Sequence, residues 1–238
     1  MKKIFVIFLI ISMLTVTVSC GDDAESILEK DREYNVLFVG DRYTYYNNFP
    51  DLFYEISSSA GYNFVVSVAV GDVDSLADFS DIFTTAGKKF DSKIDADTDF
   101  MVVQESYTAA YDYDVFSENI LMLNDTVGFA SASPKCFITQ LWGKDFDVIN
   151  DNTNKISETY DYKLSPVGSV FNKITEDNPD FKLLNDDGTP TLEGSYTMAL
   201  CYFCVITGTR ATEDLYNPAI DVAKIEIIKD TVNSIVFK

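Results

Sequence analysis

Short apolar runs alternate along the chain with segments whose apolar residues recur at helical spacing. The runs, which predict strands, cover residues 35–39, 63–70, 100–103 and 135–141. Helices are predicted around residues 49–56, 76–90, 116–127, 167–175 and 192–207, and again from Asp221 onward. Strands that alternate with helices pair in parallel and are covered by helices on both faces. The pattern therefore predicts an α/β fold with a mainly parallel sheet between helical layers, in a single domain.

The first twenty residues have the composition of an export signal. Lys2 and Lys3 precede an apolar run at 4–18, and Ser19 stands directly before Cys20. A run of about fifteen residues is shorter than the roughly 20 that a membrane-spanning helix needs. We expect residues 1–19 to be a bacterial lipoprotein signal peptide, Cys20 to carry the lipid, 20–33 to be an acidic tether and 34–238 to form the domain. The alternative is an ordinary secretory signal followed by an unmodified cysteine.

The charge balance limits the class of partner. The sequence holds 38 acidic and 18 basic residues, which gives a formal net charge of −20. Such an acidic surface argues against binding nucleic acid and against docking by charge onto anionic lipid. We therefore expect the membrane to be reached through lipid on Cys20, and the protein to lie outside the cytoplasm, on the outer membrane or cell surface. A cation-binding role is an alternative, although a solvated acidic face is the commoner reason for such a composition.

The cysteines after the signal predict neither redox chemistry nor a metal site. Cys136 lies in an apolar run, and Cys201 and Cys204 have CxxC spacing inside an apolar helical segment. A redox CxxC motif needs an exposed helix N-terminus that lowers the thiol pKa. We expect buried thiols that act as small apolar side chains, with a disulfide as the alternative. The sequence contains no histidine to complete a zinc site, and no cofactor is predicted.

Four blocks follow the predicted strands or precede the last helices. They read VLFVGDRYTYYNNFP at 36–50, DFMVVQES at 99–106, SPVG at 165–168 and NDDGTPTLEGSYTMA at 185–199. In order and spacing these blocks resemble those of a bacterial branch of the SGNH (GDSL-type) hydrolases, whose blocks read roughly ILFIGNSYTYYNDMP, DYVVLQEQS, APVG and DGSHPSxxGSYLAA. The resemblance implies a three-layer, flavodoxin-like α/β fold and a ligand site at the carboxyl ends of the strands.

The resemblance also implies a catalytic set, which this sequence does not complete. The family uses a serine after the first strand, a histidine in the last loop, an aspartate three residues before it, and a glycine and an amide that stabilise the oxyanion. Arg42 stands at the serine position, and Thr189 followed by a proline stands where the histidine motif is expected. The matches that remain are Asp187 or Asp186 for the acid, and Gly71 and Gln104 for the oxyanion donors.

Loss of the nucleophile or the base removes most of a triad's rate, on the order of 10⁶ in a serine protease. We therefore predict a pseudoenzyme whose catalytic corner is plugged by partly enclosed Arg42 and neighbouring carboxylates from Asp41, Asp186 or Asp187. Other hydroxyls, on Thr44, Ser106 and Ser195, are expected to cap helices or lie in first turns. A hydrolase based on two carboxylates is a further alternative, but no spacing singles out a pair.

The aromatic residues around the same corner favour ligand binding. The predicted binding residues are Asp41, Arg42, Tyr43, Gln104 and Tyr107, and the expected ligand is a carbohydrate or a small anion held by Arg42. The main hypothesis is a non-catalytic surface lipoprotein that binds a ligand or acts as a surface antigen. Two alternatives stay open, a residual or rewired esterase of acylated glycans and an inert structural surface protein.

Overall fold

The fold was analysed in a computed structural model, which describes residues 28–71 and 73–238. The predicted signal peptide and Cys20, the predicted site of lipidation, lie outside the described residues. Among the residues described, no helix is both long and apolar enough to cross a bilayer.

The strands form one parallel sheet with the order β2-β1-β3-β4-β5. Their bounds are β1 Glu33–Gly40, β2 Asn63–Val70, β3 Phe100–Val103, β4 Lys135–Thr139 and β5 Lys163–Ser165. Val36 of β1 stands opposite Val66 on one side and Phe100 on the other, so β1 and β3 lie inside the sheet. The predicted mainly parallel α/β fold is confirmed.

Eight α-helices flank this sheet in the described chain. They are α1 Phe49–Ser59, α2 Thr85–Asp91, α3 Tyr107–Tyr111, α4 Tyr113–Phe129, α5 Phe146–Tyr160, α6 Val167–Asp177, α7 Leu192–Thr207 and α8 Val222–Val236. Short 3₁₀ turns cover Arg42–Thr44, Tyr46–Asn48 and Leu76–Phe79.

Alternate residues of β1 point into two separate apolar cores. Val36 and Phe38 lie in the core under α1, α6, α7 and α8, where Phe38 packs edge-on against Phe49 at a centroid distance of 5.0 Å. Leu37 and Val39 lie in the opposite core, under α2, α4 and α5. Since successive side chains of a strand face opposite sides, a sheet covered on both faces requires a run of consecutive apolar residues such as Val36–Val39.

The segment 76–90, helices α3 and α5 and strand β5 differ from the predicted pattern. The helix expected over 76–90 is a 3₁₀ turn and a separate helix α2, because Thr84 caps α2 by accepting a hydrogen bond from the Gly87 N–H at 2.8 Å. Phe83, expected on the buried face, is 83% exposed. Helix α5 and strand β5 were not predicted, because the sequence of α5 is largely polar.

The cysteine prediction is confirmed for α7. Cys201 and Cys204 are fully buried within that helix, and both carry free thiols, as does half-buried Cys136. Burial raises the pKa of Cys204 to about 12, so that thiol does not ionise at neutral pH. These side chains therefore serve as packing.

Candidate functional site

The strand order creates a crevice at the carboxyl end of β1. Strand β1 lies between β2 and β3. The chain therefore passes from β1 to β2 on one side of it, and then crosses to β3 on the other side. In open parallel sheets, ligands bind where the connections diverge in this way. The loops after β1, β3 and β4 and the loop before α7 meet at this place, which we call the corner.

The loop after β1 is a 3₁₀ turn capped by Asp41. The Asp41 carboxylate accepts a hydrogen bond from the Tyr43 N–H at 2.9 Å, and its backbone carbonyl accepts one from the Thr44 hydroxyl at 2.7 Å. Thr44 is buried, so its hydroxyl stabilises the turn and has no free path to a ligand. The sequence predicted that Thr44 caps a helix. In the structure its hydroxyl closes this 3₁₀ turn instead.

The next residues are held against the start of α7. Asn47 and Asn48 both adopt left-handed backbone conformations, with φ values of 52° and 56°. The Asn47 side-chain amide donates to the carbonyl oxygens of Pro190 and Thr191 and to the Ser195 hydroxyl oxygen, each at 2.9 Å. These bonds fix the loop after β1 onto the loop before α7 and engage Ser195 in a structural role.

Arg42 is exposed, so the expectation of a partly enclosed arginine is wrong. In the turn Arg42–Thr44 it is Thr44 that is buried, and Arg42 lies on the outer side with its guanidinium carbon 5.8 Å from the Tyr43 ring centroid. Arg42 lines a hollow of about 370 Å³ beside the corner, together with Tyr45, Tyr46, Val70, Gly71 and Lys89.

Both residues matched to the oxyanion donors make hydrogen bonds within the protein. Gln104 is 1% exposed; its side-chain N–H donates to Asp41 at 3.1 Å, while its Oε1 has no partner among the described residues. The Gly71 N–H donates to the Gly40 carbonyl at 3.3 Å. Gln104 and Gly71 also line different hollows. A preorganised oxyanion hole needs donors that converge on one point, and this arrangement does not supply them.

The residues matched to the acid and the base lie in a tight turn before α7. The Asp187 carboxylate accepts hydrogen bonds from the Thr189 hydroxyl at 2.6 Å and the Thr189 N–H at 3.0 Å. These two bonds, with a smaller contribution from the charge of Arg42, lower the pKa of Asp187. Asp186 is exposed and Thr189 is buried. Asp187 is thus oriented by its own turn.

A buried carboxylate that the sequence did not predict lies next to Gln104. Glu105 is 1% exposed and accepts three hydrogen bonds, from the Leu76 N–H at 2.9 Å, the Ser106 N–H at 2.7 Å and the Asn119 side chain at 2.8 Å. Burial raises the pKa of Glu105 in spite of these bonds. Glu105 therefore joins the end of β3 to α4 and to the 3₁₀ turn at Leu76.

A pocket of about 220 Å³, the corner pocket, opens beside these groups. Its walls are formed by Asp41, Tyr43, Gln104, Glu105, Tyr107, Leu141, Trp142, Gly143, Leu184 and Gly188. Four of the five predicted binding residues line this pocket, and Arg42, the fifth, lines the neighbouring hollow. Two hollows therefore lie at the corner, one on each side of the Asp41–Tyr43 turn, and the charge of Arg42 acts on Asp187.

Trp142 is the principal wall residue that sequence reasoning missed. It packs at 4.8 Å against Phe171 of α6 and edge-on at 6.0 Å against Tyr43, measured between ring centroids. The signal was present, because Trp142 is the sole tryptophan of the sequence and lies just after a predicted strand. Opposite it, the Tyr107 hydroxyl donates to Asp145 at 3.1 Å.

The described residues contain no group of three histidine, cysteine or carboxylate side chains placed to hold a metal ion. The third candidate hydroxyl, on Ser106, accepts a hydrogen bond from the Ala109 N–H at 3.3 Å and caps α3. The chemistry that the corner offers is therefore hydrogen-bond acceptance by Asp41 beside an aromatic wall.

Solved structures with this architecture include several hydrolases. A DUF4886 family protein from Bacteroides uniformis aligns with a TM-score of 0.72 and 14% identity, over 87% of this chain and 95% of its own. A protein from Parabacteroides merdae described as a GDSL-like lipase aligns with a TM-score of 0.54 and 14% identity, over 74% and 96%. Axe2, an acetylxylan esterase from Geobacillus stearothermophilus, aligns with a TM-score of 0.55 and 10% identity, over 77% and 97%.

The sequence matches no protein-family model and no curated protein. At these identities the likeness to solved structures establishes the fold alone. The parallel five-stranded sheet with helices on both faces aligns with these structures, which include one described as a GDSL-like lipase and one named as an acetylxylan esterase. The chain therefore has the SGNH-hydrolase fold.

Proposed function

We propose that this protein is a non-catalytic member of the SGNH-hydrolase fold that binds a carbohydrate in the corner pocket while anchored to a bacterial membrane through Cys20. The proposal is carried by two features of the sequence together: Arg42, two residues after the end of β1, stands at the serine position, and the sequence contains no histidine. Without a nucleophile and a base, the two functions that a triad requires are both missing.

The oxyanion side of the corner supports the same proposal. The Asp41 carboxylate accepts a hydrogen bond from the Gln104 amide, and the Gly40 carbonyl accepts one from the Gly71 N–H. Loss of one oxyanion donor typically costs about 10²- to 10³-fold in kcat. The rival function, a residual or rewired esterase, would have to act without the serine and the histidine on which the chemistry of the resembled family depends.

The lining of the corner pocket supports a carbohydrate over an anion. Tyr43 and Tyr107 supply aromatic surface against which the C–H faces of a sugar can pack, and Asp41 supplies hydrogen-bond acceptors. Asp41 and Glu105 are acidic, and no cationic side chain lines the pocket. One structural neighbour is named as an acetylxylan esterase, so xylose is the first ligand to test.

Catalysis is tested on the chain from Gly21 onward with nitrophenyl acetate and acetylated xylose. We expect the native protein to hydrolyse these esters no faster than buffer does. The Gln104→Ala variant serves as the reference protein. Turnover above buffer that disappears in the Gln104→Ala variant would establish the esterase. A variant with Arg42→Ser and a histidine inserted between Thr189 and Pro190 tests the alignment; gain of hydrolysis there shows that the triad positions are assigned correctly.

Binding is tested through the fluorescence of Trp142, the one tryptophan of the sequence, which lines the corner pocket. We expect xylose to shift this fluorescence saturably and Tyr43→Ala to weaken the binding. The matched control is Tyr54→Ala, since Tyr54 is exposed on α1. Equal losses in both variants, or no shift with xylose, would contradict carbohydrate binding and leave the inert surface protein.

Anchoring is tested separately by expression of the full chain in a bacterium supplied with labelled palmitate. We expect label and membrane association in the native chain, and neither after Cys20→Ser. Membrane association that persists without label would point to an ordinary signal segment that is not removed.

A further inference from the structure

The hollow that Arg42 lines differs in charge from the corner pocket. It measures about 370 Å³, and the described residues that line it are Arg42, Tyr45, Tyr46, Val70, Gly71 and Lys89. None of these six residues lines the corner pocket. The charged groups among them are one guanidinium and one ammonium, whereas the charged groups that line the corner pocket are the carboxyl groups of Asp41 and Glu105. We call this second site the basic hollow.

Both cations of the basic hollow are accessible to a ligand. Arg42 and Lys89 are exposed. The Lys89 ammonium donates to the Val70 carbonyl oxygen at 2.9 Å, which holds it against the wall of the hollow. An ammonium group has three N–H donors and a guanidinium group has five, so each can bind an anion while it keeps a contact within the protein. The fork of a guanidinium also matches the paired oxygens of a carboxylate or a phosphate.

The rest of the wall is aromatic and apolar. Tyr45 is 53% exposed, and Tyr46 and Val70 are half-buried, so all three present surface to the hollow. Small-molecule sites commonly measure about 300–1,000 Å³, and the basic hollow lies within that range. A bare inorganic anion would leave the aromatic surface uncovered. The lining therefore suits an anion that carries an apolar or aromatic body.

The acidity of the whole chain does not exclude an anion at this place. The net charge of −20 is spread along the entire sequence, and salt at physiological strength screens exposed charges that are more than about 8 Å apart. The charge of Arg42 acts on Asp187, but the hydrogen bonds from Thr189 lower the pKa of Asp187 more than that charge does. Asp187 is therefore satisfied chiefly by its own turn, and the two wall cations govern the field inside the hollow.

From this lining we propose that the basic hollow binds an organic anion, with its carboxylate or phosphate group between Arg42 and Lys89 and its apolar body against Tyr45 and Tyr46. The site is distinct from the corner pocket and goes beyond the proposed function, because it requires neither carbohydrate binding nor the lipid anchor. It also gives a role to Arg42, which lies outside the corner pocket.

The test is titration calorimetry on the full chain, purified in detergent, with phenyl phosphate, benzoate, inorganic phosphate and uncharged benzyl alcohol. We expect phenyl phosphate or benzoate to bind at least about tenfold more tightly than benzyl alcohol, and phenyl phosphate more tightly than inorganic phosphate. Lys89→Gln should weaken binding of the organic anion at least about tenfold, and Lys89→Arg should retain it. Lys88→Gln is the matched control, since Lys88 is the adjacent exposed lysine of α2 and does not line the hollow.

The two organic anions identify the source of the negative charge. Binding of phenyl phosphate alone indicates a phosphate ester, and binding of benzoate alone indicates a carboxylic acid; either result supports the basic hollow. The inference is overturned if benzyl alcohol or inorganic phosphate binds as tightly as the organic anions, or if none of the four binds. Equal losses in Lys88→Gln and Lys89→Gln also overturn it, because they show an effect of overall charge and not of a site.

The outcome for the basic hollow is independent of the outcome for the corner pocket. Lys89→Gln should leave the response of Trp142 fluorescence to xylose unchanged, which shows that the variant is folded and its corner intact. Anion binding to a native protein that does not bind xylose would contradict carbohydrate binding and support the basic hollow. Xylose binding without anion binding would overturn the basic hollow and leave the proposed function in place.

Discussion

The charge state of Glu105 can be tested by its effect on stability. The variant Glu105→Gln keeps one oxygen for the N–H groups of Leu76 and Ser106, both of which donate to the same carboxylate oxygen. Its new NH₂ group faces the Asn119 side chain, which can turn its amide and accept. Glu105→Leu leaves all three donors unpaired in a buried place. At about 1–3 kcal/mol for each unpaired donor, Glu105→Leu should lose roughly 3 kcal/mol or more.

The pH dependence gives the sharper result. Because burial raises the pKa of Glu105 above 4.5 in the folded protein, the folded state holds this proton more tightly than the unfolded state. The contribution of Glu105 to stability is therefore full below pH 4.5 and decreases as the pH rises through the folded pKa, by about 1.4 kcal/mol per pH unit. Since glutamine does not titrate, Glu105→Gln should gain stability relative to the native protein over this window.

The assay is urea unfolding at about pH 4 and about pH 7, followed by Trp142 fluorescence and by circular dichroism. The difference between Glu105→Gln and the native protein removes the titration of the other acidic residues, which is common to both. The reasoning is refuted if Glu105→Gln loses stability relative to the native protein as the pH rises. That result would mean that the three hydrogen bonds outweigh burial and hold the Glu105 pKa below 4.5.

Three further predictions concern packing. Gly168→Ala should cost about 3 kcal/mol, because a Cβ there would overlap the Leu141 carbonyl oxygen; a melting temperature equal to the native value would contradict this. Burial raises the pKa of Cys136 to about 11 and that of Cys204 to about 12. Both thiols should therefore react with iodoacetamide in urea and not in the native protein at pH 8. Rapid labelling of the native protein would contradict their burial. Tyr202→Phe should lower stability by about 1–3 kcal/mol through loss of a buried 2.8 Å hydrogen bond, and an unchanged urea midpoint would count against that bond.

The regular elements were predictable where apolar residues dominate a segment that is followed by a glycine. Strand β2 and helix α7 have the bounds that the sequence predicts, 63–70 and 192–207. Helix α5 was missed because its buried face includes polar Asn152 and Thr153. Asn152 is satisfied by the carbonyl oxygens of Ala110 and Tyr111, and such a tertiary contact leaves no local pattern.

The candidate site also has features that the sequence predicted and features that it did not. Four of the predicted binding residues meet in the corner pocket, since they follow strands whose carboxyl ends lie at one edge of the sheet. The outward orientation of Arg42 was not predictable, because it depends on which residue of a short 3₁₀ turn is buried. The burial of Glu105 depends on a partner in α4 that lies 14 residues away along the chain. No periodicity indicates a pairing of that kind.

The three hydrogen bonds of the Asn47 side chain have a consequence for the order in which the fold assembles. Its side chain joins a turn near the start of the domain to residues 143, 144 and 148 positions further along the chain. Contacts of such high sequence separation form late, because the entropy of closing the intervening loop must be overcome first. A chain synthesised from its N-terminus can pair β1 with β2 early, yet the corner stays incomplete until the segment around α7 has emerged. A truncated product would thus retain much of the sheet and lack a formed pocket.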